Sequence, residues 1–461
     1  MTTLSPRDLL APKGRPEPKP GTYYIQTWGC QMNEEDSEQM ALYLEDLGFS
    51  PVDSVWEAQI VLLNTCSVRK KPEDKAFSLM GELRSLKRYN PDMVLGVCGC
   101  MAQTRANEIR HRNPHVDFVL GTGDLALLPG LVTESLQTRR FRKRTELPER
   151  KGKVVTDIPR RHVGRTAKLK AFVPIQYGCD KFCTYCIVPS TRGRERSRPT
   201  VEILEEIQKL ADLGTKEITL LGQTVNSYGK NLLEGNVPFA QLLWKISEIP
   251  GIERIRYTSP YPRDFSQELV ETIRDCPAVM ENVHLPIQSG DDEVLREMRR
   301  AYTVESFKEI ASRIRETVPG VTFSTDIIVG FPGETEAQFE STCQAVRDIR
   351  FDAAFTFAYS TRPGTPAGDR KDQIPREEKL RRLAHLIEVQ NDITRDINVA
   401  YVGQELEVLF DSASPKWPGT IQGYSREFKL VQVRGSEDRI GRIAKVKVTK
   451  SHLWGFSGTL V

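Results

Sequence analysis

Cys179, Cys183 and Cys186 stand in the stretch CDKFCTYC at spacings of four and then three. Thiolates this close in sequence point to metal chemistry, and coordination number separates two versions of it. A structural zinc ion closes its tetrahedron with four protein ligands. The nearest histidines, His162 and His284, lie in a basic stretch upstream and far downstream. A cubane iron-sulfur cluster held by three thiolates leaves one iron open to a small molecule. On these residues alone both versions stand, and the missing fourth ligand counts against zinc.

Cys30, Cys66 and Cys100 share a different kind of position. Each ends or follows a run that reads as a strand: TYYIQTWGC, AQIVLLNTC and DMVLGVCGC. In open parallel sheets the carboxyl ends of the strands share one edge, where ligands bind at the switch in strand order. Three thiolates from three loops could converge there, although a buried free cysteine is also a common small hydrophobe. Cys98, two residues before Cys100, is expected to pack and not to ligate.

The elements that would position these residues follow from periodicity. After the first strand a helix is predicted over EEDSEQMALYLEDLG, ending at Gly48; a long helix runs through DKAFSLMGELRSLKRY, and a short one precedes DFVLGTGD. Alternating strands and helices imply an α/β fold with an open parallel sheet and right-handed crossovers. From residue 171 strands are predicted at AFVPIQYG, EITLLGQTV, RIRYTS, NVHLPIQSG, VTFSTDIIVGFPG and FDAAFTFAYS, with helical patterns between them. Six such units suit a partial (β/α) barrel whose chemistry lies at the C-terminal strand ends, and the cysteine loop follows the first strand. There Gly178 is expected to let backbone approach the cluster, and Tyr185 to present an aromatic edge beside it, with plain packing as its alternative. IIVGFPGETE places Gly330 and Gly333 after an apolar strand, with a helix beginning near Glu334. Such a turn could take a nucleoside, although glycine turns are common in α/β proteins.

Roughly the last sixty residues change period: QELEVLF, GTIQGY, KLVQVRG and IAKVKVTK predict a small β-barrel. Lys416, Arg426, Lys429, Lys445 and Lys447 with Trp417, Tyr424 and Phe428 interleave charge and aromatics, as RNA-binding barrels do. An ordinary β domain with solvent-facing lysines is the alternative.

The 461 residues are more than one core usually holds. The expected division is a Pro-rich disordered tail over 1–20, an open α/β domain over 21–145, a basic linker over 146–168, the partial barrel over 169–398 and the small β-barrel over 399–461. A net charge of +3 does not imply strong bulk attraction to nucleic acid, so local clusters must carry any such contact. Nine cysteines, an odd number, with no signal-like or membrane-length apolar run, point to a reducing cytoplasm and away from a disulfide framework. No heptad run or long apolar seam stands out, and a monomer is expected.

These motifs carry a family resemblance from about residue 21 to residue 461. TWGCQMN, NTCSVR, GCMAQ and GCDKFCTYC resemble the radical S-adenosylmethionine methylthiotransferases, and the C-terminal barrel is similar to a TRAM domain. GCQMN, IVPSTRGRERSRP and NVHLPIQSGDDEVLREMRRAYT are most similar to the MiaB-type tRNA branch. The resemblance implies methylthiolation of C2 of isopentenyl (N6-dimethylallyl) adenosine at position 37, in the tRNA anticodon arm. An adenine C2–H has no useful acidity, so such a reaction calls for a cofactor-supplied radical that the protein shields.

The resemblance also implies two 4Fe-4S clusters and two molecules of S-adenosylmethionine per turnover. One cluster falls on Cys179, Cys183 and Cys186, binding S-adenosylmethionine at its open iron and cleaving it to a 5′-deoxyadenosyl radical. The auxiliary cluster falls on Cys30, Cys66 and Cys100, holding sulfur that receives a methyl group from a second S-adenosylmethionine. Gln223, Asn226, Gln288, Ser289, Gly330 and Glu334 fall in the implied S-adenosylmethionine pocket beside Tyr185. An electron donor of the flavodoxin or ferredoxin type is implied as a partner. Arg192, Arg194, Arg196 and Arg198 either pair with the acidic helix VEILEEI or contact tRNA phosphate or cofactor carboxylate. GYSREF departs from the Gly-Arg-Thr turn usual in the barrel. The same chemistry on a protein side chain or another modified adenosine, and a cluster-bearing RNA-binding protein without turnover, are the alternatives.

Overall fold

A computed structural model describes residues 19–67, 70–138, 140–147, 167–232 and 237–461. Nearly all of the expected tail and of the basic linker lies outside the described residues.

The N-terminal unit runs β1 (Thr22–Thr27), α1 (Gln31–Asp46), β2 (Ser50–Pro51), β3 (Ile60–Thr65), α2 (Lys70–Tyr89), β4 (Val94–Gly99), α3 (Cys100–Arg112), β5 (Phe118–Leu120), α4 (Leu128–Thr138) and β6 (Arg142–Arg144). Its sheet has the order β2-β1-β3-β4-β5-β6, with parallel pairing throughout. β3 and β4 are buried along their whole length, as strands covered on both faces must be. The order reverses between β1 and β3, so Cys30 and Cys66 flank the switch point. Cys98 lies inside β4 and packs with Met40, Leu44 and Leu62, in keeping with its expected packing role. β6, at the edge of the sheet, carries Arg142, Lys143 and Arg144 just before the basic linker.

The central unit continues with β7 (Lys170–Pro174), β8 (Gln176–Tyr177), α5 (Val188–Arg192), β9 (Arg196–Ser197), α6 (Thr200–Asp212), β10 (Glu217–Leu221), α7 (Phe239–Ser247) and β11 (Arg254–Tyr257). It then runs through α8 (Gln267–Asp275), β12 (Asn282–His284), α9 (Asp292–Glu297), α10 (Val304–Thr317), β13 (Thr322–Val329), α11 (Glu336–Ile349), β14 (Ala353–Ala358) and α12 (Arg376–Val399). β7-β10-β11 and β12-β13-β14 are two parallel sheets, joined by a bridge between Ile255 and Val279. The six strands therefore follow one another in chain order as a partial barrel, and β7 and β14 do not pair among the described residues. Helices cover the outside through apolar stripes: Ile203, Ile207 and Leu210 of α6 join Phe307, Phe323, Phe339 and Val346 in one core. No helix among the described residues is long and apolar enough to cross a membrane.

The C-terminal unit is a closed barrel of β15 (Glu405–Ala413), β16 (Thr420–Ser425), β17 (Leu430–Arg434), β18 (Ile443–His452) and β19 (Gly455–Leu460), in the order β15-β16-β17-β19-β18. β19, GFSGTL, was not among the expected strands, because its two glycines blur the alternation. This barrel seats against the N-terminal ends of the central strands. Arg254, fully buried, donates to the carbonyls of Tyr424 (2.7 Å) and Glu407 (3.1 Å), and Arg256 to those of Ser425 (2.7 Å) and Arg426 (3.2 Å).

That seating corrects part of the basic-aromatic reading. Arg426 is held by Glu281 at 2.7 Å and by the carbonyls of Pro277 and Val279, and Lys429 is buried on Asp352 at 2.9 Å. Tyr424 and Phe428 stack at 4.8 Å, with Lys170 over one ring and Arg256 over the other. These four residues dock the two barrels together. Lys416, Trp417, Lys445 and Lys447 remain exposed, the last two in register with Glu407 and Glu405.

Candidate active site

Both ends of the N-terminal cysteine set are helix starts. Cys30 is the N-cap of α1, and Cys100 is the first residue of α3. Helix N-termini favour thiolate over thiol. A pair of buried amides holds the loops in place: Asn33 Nδ2 donates to Asn64 Oδ1 at 3.1 Å, and Asn64 Nδ2 donates to the Asn33 carbonyl at 2.8 Å. Asn33 also bonds the Cys30 thiol at 3.5 Å. Gly99 has φ +89°, and a Cβ there would sit 2.4 Å from Asn64 Oδ1. Asn33 and Asn64 stand inside the same GCQMN and NTC motifs as the thiols, and their holding role shows only in the fold.

Two arginines from the central unit reach this edge. Arg192 Nη2 pairs with Asp36 at 2.7 Å, with both side chains under a tenth exposed. Burial pushes the Cys100 thiol up, and the adjacent Arg192 guanidinium pulls it the other way. Arg362, on the loop after β14, pairs with Glu73 at 3.5 Å, and Glu73 accepts from Ser67, next to Cys66, at 3.1 Å. Neither arginine was assigned to this edge from the sequence.

The CDKFCTYC loop hangs from β8 and is tied down at several points. Lys181 Nζ pairs with Asp264 at 2.6 Å, and its N–H donates to Cys179 Sγ at 3.4 Å. Thr184 donates to the carbonyls of Met298 (3.2 Å) and Glu297 (2.8 Å), and its own carbonyl accepts from Ala367 N–H at 3.0 Å. Arg300 Nη1 approaches Cys183 Sγ at 3.4 Å and lies over Tyr261. Burial pushes the Cys179 and Cys186 thiols up to about 12. Gly178 lies against the Gly193 and Arg194 carbonyls, 2.5 and 2.2 Å from a built Cβ, so its freedom serves that backbone crossing.

The remaining expected residues divide by what holds them. Asn226 exchanges both amide bonds with the Tyr261 backbone, at 2.9 and 2.8 Å. Ser289 is turned to Thr342 at 3.3 Å. The Gly330 N–H donates to Glu334 Oε2 at 2.6 Å, and Arg382 donates to the same oxygen at 2.9 Å. These four staple loops at the barrel rim. Tyr185 packs against Phe331 and Tyr359. The Gln223 and Gln288 side chains make no hydrogen bond with described residues, and Gln288 adopts φ +70° at the end of the β12 run. Of the arginine series, Arg198 pairs with Glu206 of α6 at 2.8 Å and Arg194 with Asp180 at 2.7 Å, while Arg196 is buried over Tyr177.

The donor sets discriminate between metal types. Among the described residues, the three ligand-type side chains whose donor atoms all lie within 4.8 Å of one another are Glu340, Cys343 and His385, on α11 and α12 away from both cysteine sets. A structural zinc site takes four protein ligands, and each cysteine set offers three thiols. A polynuclear cluster spreads its thiolates over separate irons, and both all-cysteine sets fit one.

Three family models match successive parts of the chain. Residues 22–121 match Uncharacterized protein family UPF0004, residues 173–346 the Radical SAM superfamily and residues 399–461 the TRAM domain. A tRNA-2-methylthio-N(6)-dimethylallyladenosine synthase of Moorella thermoacetica is 46% identical over 95% of this chain and 98% of its own. Synthases of the same name from Carboxydothermus hydrogenoformans and Bacillus cereus are each 45% identical over 95% of this chain, covering 99% and 86% of theirs. In fold, the chain is similar to the radical S-adenosylmethionine methyltransferase TsrM of Kitasatospora setae, with TM-score 0.52 and 14% identity over 87% of this chain and 80% of that one. At 45–46% identity to these synthases over 95% of its length, the chain belongs to the tRNA-2-methylthio-N(6)-dimethylallyladenosine synthase family.

Proposed function

We propose that this chain methylthiolates C2 of N6-dimethylallyladenosine at position 37 of tRNA, with one 4Fe-4S cluster on Cys179, Cys183 and Cys186 and a second on Cys30, Cys66 and Cys100. The observation that carries the reading is α5. It begins two residues after Cys186 and ends on Arg192, whose guanidinium pairs with Asp36 beside the other cysteine set. Both sets therefore border one interdomain space. When bound, the clusters supply reductive cleavage of one S-adenosylmethionine and a sulfur that takes the methyl group of another.

The protein's own residues bind, orient and exclude water. Lys181, Thr184 and Arg300 fix the loop, and Arg300 keeps a cation beside Cys183. Gln223 and Gln288 offer uncommitted amides at the rim for the polar groups of S-adenosylmethionine, while Asn226, Ser289, Gly330 and Glu334 hold the surrounding loops. Tyr185, Phe331 and Tyr359 form an apolar wall that keeps water from a reactive carbon radical. The exposed Lys416 and Trp417 on the C-terminal barrel are suited to the anticodon arm. The nine free cysteines fit a reducing cytoplasm, where a flavodoxin or ferredoxin would supply electrons to a monomer.

Nucleoside mass spectrometry tests the reading directly. Reduced, cluster-loaded protein with S-adenosylmethionine should give a methylthio nucleoside from dimethylallyl tRNA and none from unmodified tRNA. Deoxyadenosine without any modified nucleoside would move the substrate elsewhere.

A further inference from the structure

The lumen of the central barrel is not packed solid. In a closed (β/α) barrel, inward side chains fill the interior in layers. Here β13 turns Phe323, Ile327 and Val329 outward into the helix-covered core, so Ser324, Asp326 and Ile328 face inward. Asp326 is 34% exposed and its Cα partner on β14, Phe355, is 53% exposed. The C-terminal barrel closes the lower end through Arg254, Arg256 and Thr322. The space is therefore a cup, closed below and open toward the cysteine loop and along the edges of β7 and β14, which do not pair among the described residues.

The cup holds one organised polar group. His284 lies 3.0 Å from Ser324 Oγ through Nδ1 and 3.3 Å from Asp326 Oδ2 through Nε2. A carboxylate only accepts, so in the neutral imidazole Nε2–H donates to Asp326 and Nδ1 accepts a hydrogen bond from the Ser324 hydroxyl. The chain of bonds fixes Asp326 and leaves Oδ1 without a partner among the described residues. The Phe355 ring stands edge-on to His284 at 6.0 Å, and Phe357 follows on the same face of β14. One oriented acceptor therefore sits beside an apolar wall. The Gln288 N–H donates to the Asp326 carbonyl at 2.9 Å, which puts this group directly below the rim.

We infer that this cup is the seat of the target base: Asp326 Oδ1 accepts the single exocyclic N–H of an N6-monoalkylated adenine, and Phe355 with Phe357 holds the alkyl chain. The inference rests on the proposed function and adds the residues that read its substrate. A 6-oxo purine presents an acceptor to Asp326 and is rejected, and an N6,N6-dialkyl adenine has no proton to give. An unmodified adenine keeps the hydrogen bond and loses the apolar contact.

Anticodon stem-loops carrying adenosine, N6-dimethylallyladenosine or N6,N6-dimethyladenosine, titrated into cluster-loaded protein and followed by fluorescence anisotropy, test it. Phe355→Ala truncates an exposed side chain and should fold; it is expected to cut the preference for dimethylallyladenosine over adenosine by about tenfold or more. Asp326→Asn should weaken adenosine and dimethylallyladenosine alike by roughly tenfold and erase discrimination against the dimethyl base. Iron content and melting temperature equal to wild type qualify each variant. An unchanged preference in Phe355→Ala, or unchanged affinity in Asp326→Asn, overturns the inference. Methylthio product from the wild type in the same preparation keeps the function reading separate, since its absence there would sink that reading first.

Discussion

Arg192 and Arg300 are buried cations with different tasks. Arg192 and Asp36 meet at 2.7 Å with almost no solvent, so removing either partner takes an ion pair from a buried charge. Breaking a buried pair costs about 3–5 kcal/mol. Arg192→Ala should therefore lower the melting temperature and lose iron from the Cys30, Cys66, Cys100 set; unchanged melting would show that the pair is not structural. Arg300 sits 3.4 Å from Cys183 Sγ and is also bonded to Tyr302 at 2.9 Å. A hydrogen bond to a charged group is worth about 1.5–3 kcal/mol, so Arg300→Ala should slow deoxyadenosine formation by roughly 10- to 100-fold. Chromatography of the products measures it, and an unchanged rate would remove Arg300 from the site.

At the level of elements, the turn from β4 into α3 carries a specific constraint. Gly99 combines φ +89° with carbonyl and amide oxygens 2.6 and 2.4 Å from a built Cβ. Gly99→Ala must displace Asn64 or Thr65, and with them the Cys66 and Cys100 loops. The expected result is loss of about half the iron, deoxyadenosine still formed, and no methylthio product, read by iron analysis and mass spectrometry. The strands bearing the cysteines were legible because continuous apolar runs such as IVLLN and MVLGV mark buried parallel strands. The start of α1 was not, because Gln31, Met32 and Asn33 show no helical period and Asn33 is buried on another strand. The spacing of Cys179, Cys183 and Cys186 marks a metal-type motif in the sequence, whereas Arg192 and Arg362 gain their meaning only when the two units are placed together.

For the molecule as a whole, the C-terminal barrel is a fixed part of the catalytic body. Arg254 is fully buried and spans to Tyr424 and Glu407, and Arg426 returns the contact to Glu281. A basic residue in a hairpin turn reads as solvent-facing until a neighbour covers it, which is why Arg426 and Lys429, between β16 and β17, looked like RNA contacts. Arg254→Ala should loosen the barrel, giving faster proteolysis near residues 399–404 and weaker tRNA binding, with deoxyadenosine formation retained; equal proteolysis would show that the docking does not depend on Arg254. In the proposed function two all-cysteine sets hold two clusters and form one site. Its most direct test is iron and sulfide analysis with electron paramagnetic resonance on the wild type and on the Cys30→Ala/Cys66→Ala/Cys100→Ala triple variant, with products measured in the same samples. Two clusters in the wild type, one in the variant, and deoxyadenosine without methylthio nucleoside from the variant are predicted. A single cluster in the fully loaded wild type, or methylthio product from the variant, would contradict it.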